Sequence, residues 1–109
     1  MPRTVLPVVS VARGGVAAPT EQTGDTVNNH VVTNTGRTII TVRNADGAAS
    51  HNVTFVITNT VDGQAVTNRT VAVAQSATLE FGKFQPDIYG TAMGINVDST
   101  QLKLSALEP

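Results

Sequence analysis

Apolar and polar residues alternate along this chain in short runs broken by turn-forming residues, and no stretch sustains a helical period. The clearest run is Thr38-Ile39-Ile40-Thr41-Val42-Arg43-Asn44. At a period of two, Ile40 and Val42 fall on one face and Ile39, Thr41 and Arg43 on the other. Val53, Phe55 and Ile57 form the next inward row, with Thr54, Val56 and Thr58 opposite. Asp62-Gly63 is a two-residue hairpin signal, because Gly takes the positive φ such a turn needs. Beyond it, Thr67, Arg69, Val71 and Val73 alternate with Asn68, Thr70 and Ala72 until Gln75-Ser76. Leu79 and Phe81 then alternate with Thr78 and Glu80, and Pro86, which cannot donate to a ladder, ends that run. Tyr89-Gly90 marks the next turn. Ile95 and Val97, the turn Asp98-Ser99-Thr100, and Leu102 and Leu104 with Lys103 and Ser105 outward complete the chain. Upstream, Val27, Val31 and Val32 read as a first strand that ends at Asn34-Thr35-Gly36. The spacing predicts an all-β fold, an antiparallel β-sandwich or barrel of about seven or eight short strands. Its expected core is Val42, Val53, Phe55, Ile57, Val71, Leu79, Phe81, Ile95, Val97, Leu102 and Leu104.

Residues 1–24 read as an extended N-terminal arm and linker, and residues 25–109 as the β-domain. Pro7 demotes the apolar run around it to an edge strand or a loose arm. Gly14-Gly15 supplies a hinge, and residues 17–26 are small, polar and Pro/Gly-containing, as linkers are. Such an arm is either a disordered tail or a strand added to a neighbour. The second reading gives Val5, Leu6, Val8, Val9 and Val11 something to cover. These residues, Arg13, Ile39 and Val56 are the candidate protein-interface residues. Ile39 and Val56 enter because they point away from the inward rows. Either that opposite face packs on another subunit, or the parity slips by one in a strand. A homo-oligomer, trimer first, is the expectation.

Composition narrows the function classes. With 109 residues the chain makes one domain, and with no Trp, one Tyr and three Phe its core must be filled by Val, Ile and Leu. Charged residues are 14% of the chain, against roughly 25% on average. Charge is depleted where surfaces face other protein. The net charge of −1 gives no electrostatic footprint for nucleic acid or an anionic membrane, and neither partner is expected. The absence of Cys leaves the redox compartment open. Pro7, Ser10 and Arg13 interrupt any apolar run, so no signal peptide is read.

No catalytic constellation emerges, and the expectation is no enzyme, no metal and no cofactor. His30 and His51 lie in different segments without ligand spacing and read as surface or loop residues. Asp46 and Asp62 each precede Gly, which turn chemistry explains. Asp87 is the remaining member of any carboxylate pair. No nucleophile-elbow sequence is present, and Gly14-Gly15 lacks the following Gly-Lys-Thr of a phosphate loop. Asn52-Val53-Thr54 and Asn68-Arg69-Thr70 match the glycosylation pattern but sit inside strand-like runs. Arg69 either pairs with Glu80 across the meander or lies at an edge.

Three stretches carry a resemblance. They are Asn34-Thr35-Gly36-Arg37-Thr38 running into Val42-Arg43-Asn44; Thr60-Val61-Asp62-Gly63 through Ala65-Val66 to Arg69-Thr70-Val71; and Phe81-Gly82-Lys83-Phe84 with Pro86 and Tyr89-Gly90. Together they resemble small virion proteins encoded among the structural genes of tailed bacteriophages and prophages of actinobacteria. The likeness covers residues 34–107 and not the arm. Relatives carry a Pro-Ala-Gly-like turn where this chain has Ala74-Gln75-Ser76, a departure confined to a loop. The motifs are turns and strand ends, so they transfer no binding residues. The resemblance implies a capsid decoration protein of the cement type, made in the host bacterial cytoplasm. It would bind the major capsid protein on the outer surface of the virion, as a homotrimer. Two alternatives stand beside it: a tail or head–tail joining protein, and a β-sandwich adhesion module. Exposed aromatics for sugar stacking would mark the last, and Tyr89 alone is a poor match.

Overall fold

The structure, a computed structural model, describes residues 3–58 and 60–109. In chain order its strands are β1 (Thr4–Val5), β2 (Val8–Ser10), β3 (Gln22–Thr23), β4 (His30–Thr33), β5 (Ile39–Asn44), β6 (His51–Phe55), β7 (Thr60–Val61), β8 (Gln64–Ala65), β9 (Arg69–Val73), β10 (Thr78–Phe81), β11 (Ala92–Val97) and β12 (Leu102–Glu108). One helical turn, α1 (Pro86–Tyr89), precedes β11. The first sheet has the order β1-β4-β11-β6-β9, and the second β10-β5-β12-β2, with β3 beside β2 on the same edge of β12. β7 and β8 form a separate two-stranded ribbon. The protein is an all-β sandwich, as the turn spacing predicts, but the described residues form twelve strands in place of seven or eight, and the sheets are mixed, because β1 and β2 add in parallel to otherwise antiparallel pairs.

The alternation places the core as expected where strands are long. Ile40, Val42, Val53, Phe55, Ile95, Val97, Leu102 and Leu104 are buried between the sheets. Leu79 and Phe81 pair with Val42 and Ile40 on the same inward face, but β10 is the edge strand of its sheet, as β9, which carries Val71, is of the other, so all three are only half-buried. Ile57 is half-buried beyond the end of β6. Phe55 stacks at 4.8 Å on both Phe81 and Phe84, and Phe84 meets Tyr89 edge-on at 5.0 Å. Three turn residues double as core plugs. The buried Asn44 amide donates to the carbonyls of Ala49, Val73 and Ala74 and accepts from the Asp46 N–H. Asn34 donates to the Gly90 carbonyl and accepts from the Gly36 N–H. Thr38 Oγ1 donates to the Thr33 carbonyl. Satisfied in this way, buried polar side chains fix the turns without a desolvation cost left unmet.

Residues 3–10 differ from the expected arm. β1 pairs in parallel with β4, and β2 in parallel with β12. Between them the chain crosses from one sheet to the other along the open edge of the sandwich. Leu6 sits at that crossing, only 2% exposed and part of the core cluster. Its N–H donates to the Val31 carbonyl at 2.8 Å, while Pro7, with no N–H, leaves no donor unpaired. β3 returns to β12 as well. Residues 3–10 and 22–24, assigned to arm and linker, thus join the sheets of the 25–109 domain. The cause is the hydrophobic effect: the gap between β4 and β12 exposes core surface, and Leu6 and Val8 cover it while covering themselves. Met1 and Pro2 of the expected arm lie outside the described residues. Residues 11–18 remain solvent-facing, as do Thr20 and Glu21, and Gly15 turns the segment at φ 94.

Two further readings are corrected. Val27 is not in a strand but 74% exposed in a turn, because the Asp25 carboxylate accepts the N–H groups of Val27 and Asn28. His30 is not a surface residue but fully buried on β4.

Candidate functional site

Register decides what the outer face of the second sheet presents. Ile39 of β5 is opposite Leu107 of β12, and Leu107 is opposite Val9 of β2. Directly opposed residues point to the same face, so Val9, Leu107 and Ile39 form one apolar row across three strands, each half-exposed. Two of the expected interface residues, Val9 and Ile39, are thereby brought together. The neighbouring rows are polar: Thr41 with Ser105, then Arg43 with Lys103. Arg43 is bidentate to Glu21 at 2.8 and 2.9 Å, which holds the Glu21 carboxyl below its ordinary range and pins the exposed segment before β3.

The apolar row runs into a groove of about 510 Å³, lined by residues 36–37, Ile39, residues 80–83 and Pro109. Ile39 and Pro109 give it apolar lining, while the Phe81 ring turns inward onto Phe55; Arg37 and Lys83 are exposed along it. Lys83 has φ 62, left-handed backbone that is uncommon outside Gly, Asn and Asp. Among the described residues neither cation is in an ion pair. Glu80, also in its lining, accepts from Thr41 Oγ1.

The second feature is the β7–β8 ribbon, set within the 56–68 connection between β6 and β9. Asp62 at φ 52 and Gly63 at φ 75 make its tip, the pairing of positive φ values that a tight two-residue hairpin requires. Residues 60–68 are all exposed, and Val61 is 65% exposed. The base is tied down: Asn68 Oδ1 accepts the Ile57 N–H, and the Thr58 N–H donates to the Ile88 carbonyl. Asn68 of the glycosylation-like sequence is thus a structural acceptor. Arg69 Nε donates to Tyr89 Oη rather than meeting Glu80.

The remaining expected interface residues separate. Val5 pairs with Val31 on the first sheet and is 65% exposed. Leu6 is core. Val8 packs on the core. Val11 and Arg13 are exposed after β2. Val56 is half-buried, its N–H donating to the Gly94 carbonyl.

Polar chemistry is concentrated where β1 meets β4. Arg3 Nη1 donates to Asn96 Oδ1 at 2.6 Å and to the His30 carbonyl at 3.2 Å. Gly94 permits this, since a Cβ there would lie 2.9 Å from the Arg3 guanidinium carbon. Thr4 Oγ1 donates to Asp25 Oδ2 at 2.7 Å. With the Asn28 N–H first and Thr4 next, these donors lower the Asp25 pKa to about 2. His30 Nε2 accepts the Asp25 N–H at 2.9 Å. Burial pushes the His30 imidazole below its ordinary range, with Asp25 opposing and Arg3 assisting. His30 is a wedge that holds the Asp25 turn against β1. A polar residue type gave no sign of that burial.

His51 has a similar structural role, its Nε2 2.9 Å from Asp46 Oδ2 and its Nδ1 3.8 Å from Asp98 Oδ1. Asp46, Asp62 and Asp87 lie on a loop, the ribbon tip and α1 respectively. Among the described residues no group of three or more His, Cys, Asp or Glu side chains could hold a metal ion. The residues that sequence reasoning missed are Leu107, Arg37, Lys83, Val61 and Asp62 as surface groups. Comparison with protein families, curated proteins and solved structures finds no match.

Proposed function

We propose that this chain is a structural virion protein that binds the outer surface of a bacteriophage head and stabilises it, as decoration or cement proteins do. Its partner is the major capsid protein, its working form a homotrimer, and it performs no catalysis. The reading rests on the resemblance carried by residues 34–107. The observation that supports it best is the apolar row of Val9, Leu107 and Ile39 leading into the groove. This is an exposed apolar face on a chain with little charge, suited to contact with protein.

The mechanism is linkage. A protein that binds the assembled shell and not the dispersed subunits shifts the equilibrium toward the shell. Modest contacts repeated over a lattice sum to a large effect. Antibody labelling of purified virions, viewed in negative stain, tests this placement. Uniform label over heads supports decoration, and label confined to tails replaces it with a tail or head–tail joining role.

A further inference from the structure

We propose that the β7–β8 ribbon tip of one copy seats in the groove of the next copy, so that copies associate head to tail and close into a ring. The two surfaces match in chemistry. The groove offers apolar Ile39 and Pro109 beside two cations without ion-pair partners among the described residues, Arg37 and Lys83; the one acidic side chain in its lining, Glu80, is engaged by the Thr41 hydroxyl. The tip offers an exposed valine, Val61, beside a carboxylate without an ion-pair or hydrogen-bond partner among the described residues, Asp62. Asp62 is the single charged residue between Thr58 and Arg69, so the ribbon presents negative charge only at its tip. Seating it would cover Val61 and place the carboxylate between the two cations. The ribbon is absent from the lining of its own groove, so the occupant is another copy.

Geometry sets the symmetry. Tip and groove are different patches, which makes the contact heterologous, and a heterologous contact closes into a ring when its rotation allows. The tip is also prepared for docking. Its two positive φ values fix the hairpin, and the base is held by Asn68 and Thr58. Little ordering then remains to oppose association. The groove volume of about 510 Å³ is within the roughly 300–1,000 Å³ of pockets that enclose small groups, ample for a valine and an aspartate side chain.

Sedimentation velocity of the full chain, from micromolar to millimolar concentration, tests the proposal without any capsid, so its failure leaves shell binding untouched. Two variants are used. The tip variant is Val61→Ser with Asp62→Asn; the groove variant is Arg37→Gln with Lys83→Asn. All four positions are exposed, and Asn tolerates the left-handed backbone at positions 62 and 83, so both variants keep the wild-type melting curve. The wild type associates into a closed oligomer, and each variant alone associates at least tenfold more weakly. An equimolar mixture of the two variants retains one intact tip and one intact groove, and gives a one-to-one dimer with nothing larger. A wild type that stays monomeric throughout overturns the proposal. So does either variant assembling like the wild type, or a mixture that stays monomeric.

Discussion

Replacing Leu6 by Ala tests whether the N-terminal strands belong to the fold. Leu6 is 2% exposed and joins the core cluster from a segment that crosses between the sheets. Core Leu→Ala substitutions cost roughly 2–5 kcal/mol, the spread reflecting how far the site collapses. Leu6 lies at an edge, between a two-residue and a three-residue strand, so its surroundings relax more than a central strand does. The expected cost is therefore about 2–3 kcal/mol. Each kcal/mol is worth roughly 4–8 °C in a domain near this size, so the melting temperature falls by about 8–24 °C. Val5→Ala, one residue away but 65% exposed, changes stability by less than about 0.5 kcal/mol. Thermal melts by circular dichroism give the temperatures, and urea titrations show a lower midpoint at unchanged slope. A Leu6→Ala protein that melts with the Val5→Ala protein would refute the reasoning and return residues 3–10 to the status of a free arm.

Other consequences follow from single buried groups. His30 titrates below its ordinary 6.5 because burial disfavours the cation, so the unfolded chain binds more protons below that pH. Stability contributed by neutral His30 is complete above pH 6.5 and is lost as pH falls through the lowered value. Melting temperatures measured between neutral and mildly acidic pH should drop for the wild type and stay flatter for His30→Gln. Asp25, depressed from 3.8 to about 2, adds a second loss at more acidic pH, abolished in Asp25→Asn. Asn44→Ala strips a donor from three carbonyls and should cost about 1–3 kcal/mol in urea titrations. Gly24→Ala places a Cβ 2.7 Å from the Ser99 carbonyl and 2.9 Å from that of Leu102. It should displace β3 and destabilise by about 1–3 kcal/mol, with faster amide exchange at residues 22–24.

Much of the fold was legible wherever a strand was long enough to show its period. Ile40 with Val42, Val53 with Phe55, and Leu102 with Leu104 point inward as alternation requires, and Asp62-Gly63 turns as its residues dictate. What escaped was tertiary. Leu6 lies among strands of two and three residues interrupted by Pro7, too short to show which way a side chain faces. Val27 resembled a strand residue until Asp25 captured its N–H. His30 is polar by type yet buried by register, since it opposes Ile95 on β11. The candidate surface was half legible. Ile39 was singled out by parity, but its junction with Leu107 and Val9 depends on β2 and β5 flanking β12. Arg37 and Lys83 come from separate loops and meet only through the β5–β10 pairing.

The claim that this protein fastens to a phage head is tested most directly by adding it to heads that lack it. Purified heads are incubated with increasing protein, pelleted, and the bound protein quantified. The account predicts saturable binding at a fixed ratio to the major capsid protein, together with greater resistance of the heads to heat. No binding to heads, or binding that grows without saturation and leaves their heat resistance unchanged, would contradict it.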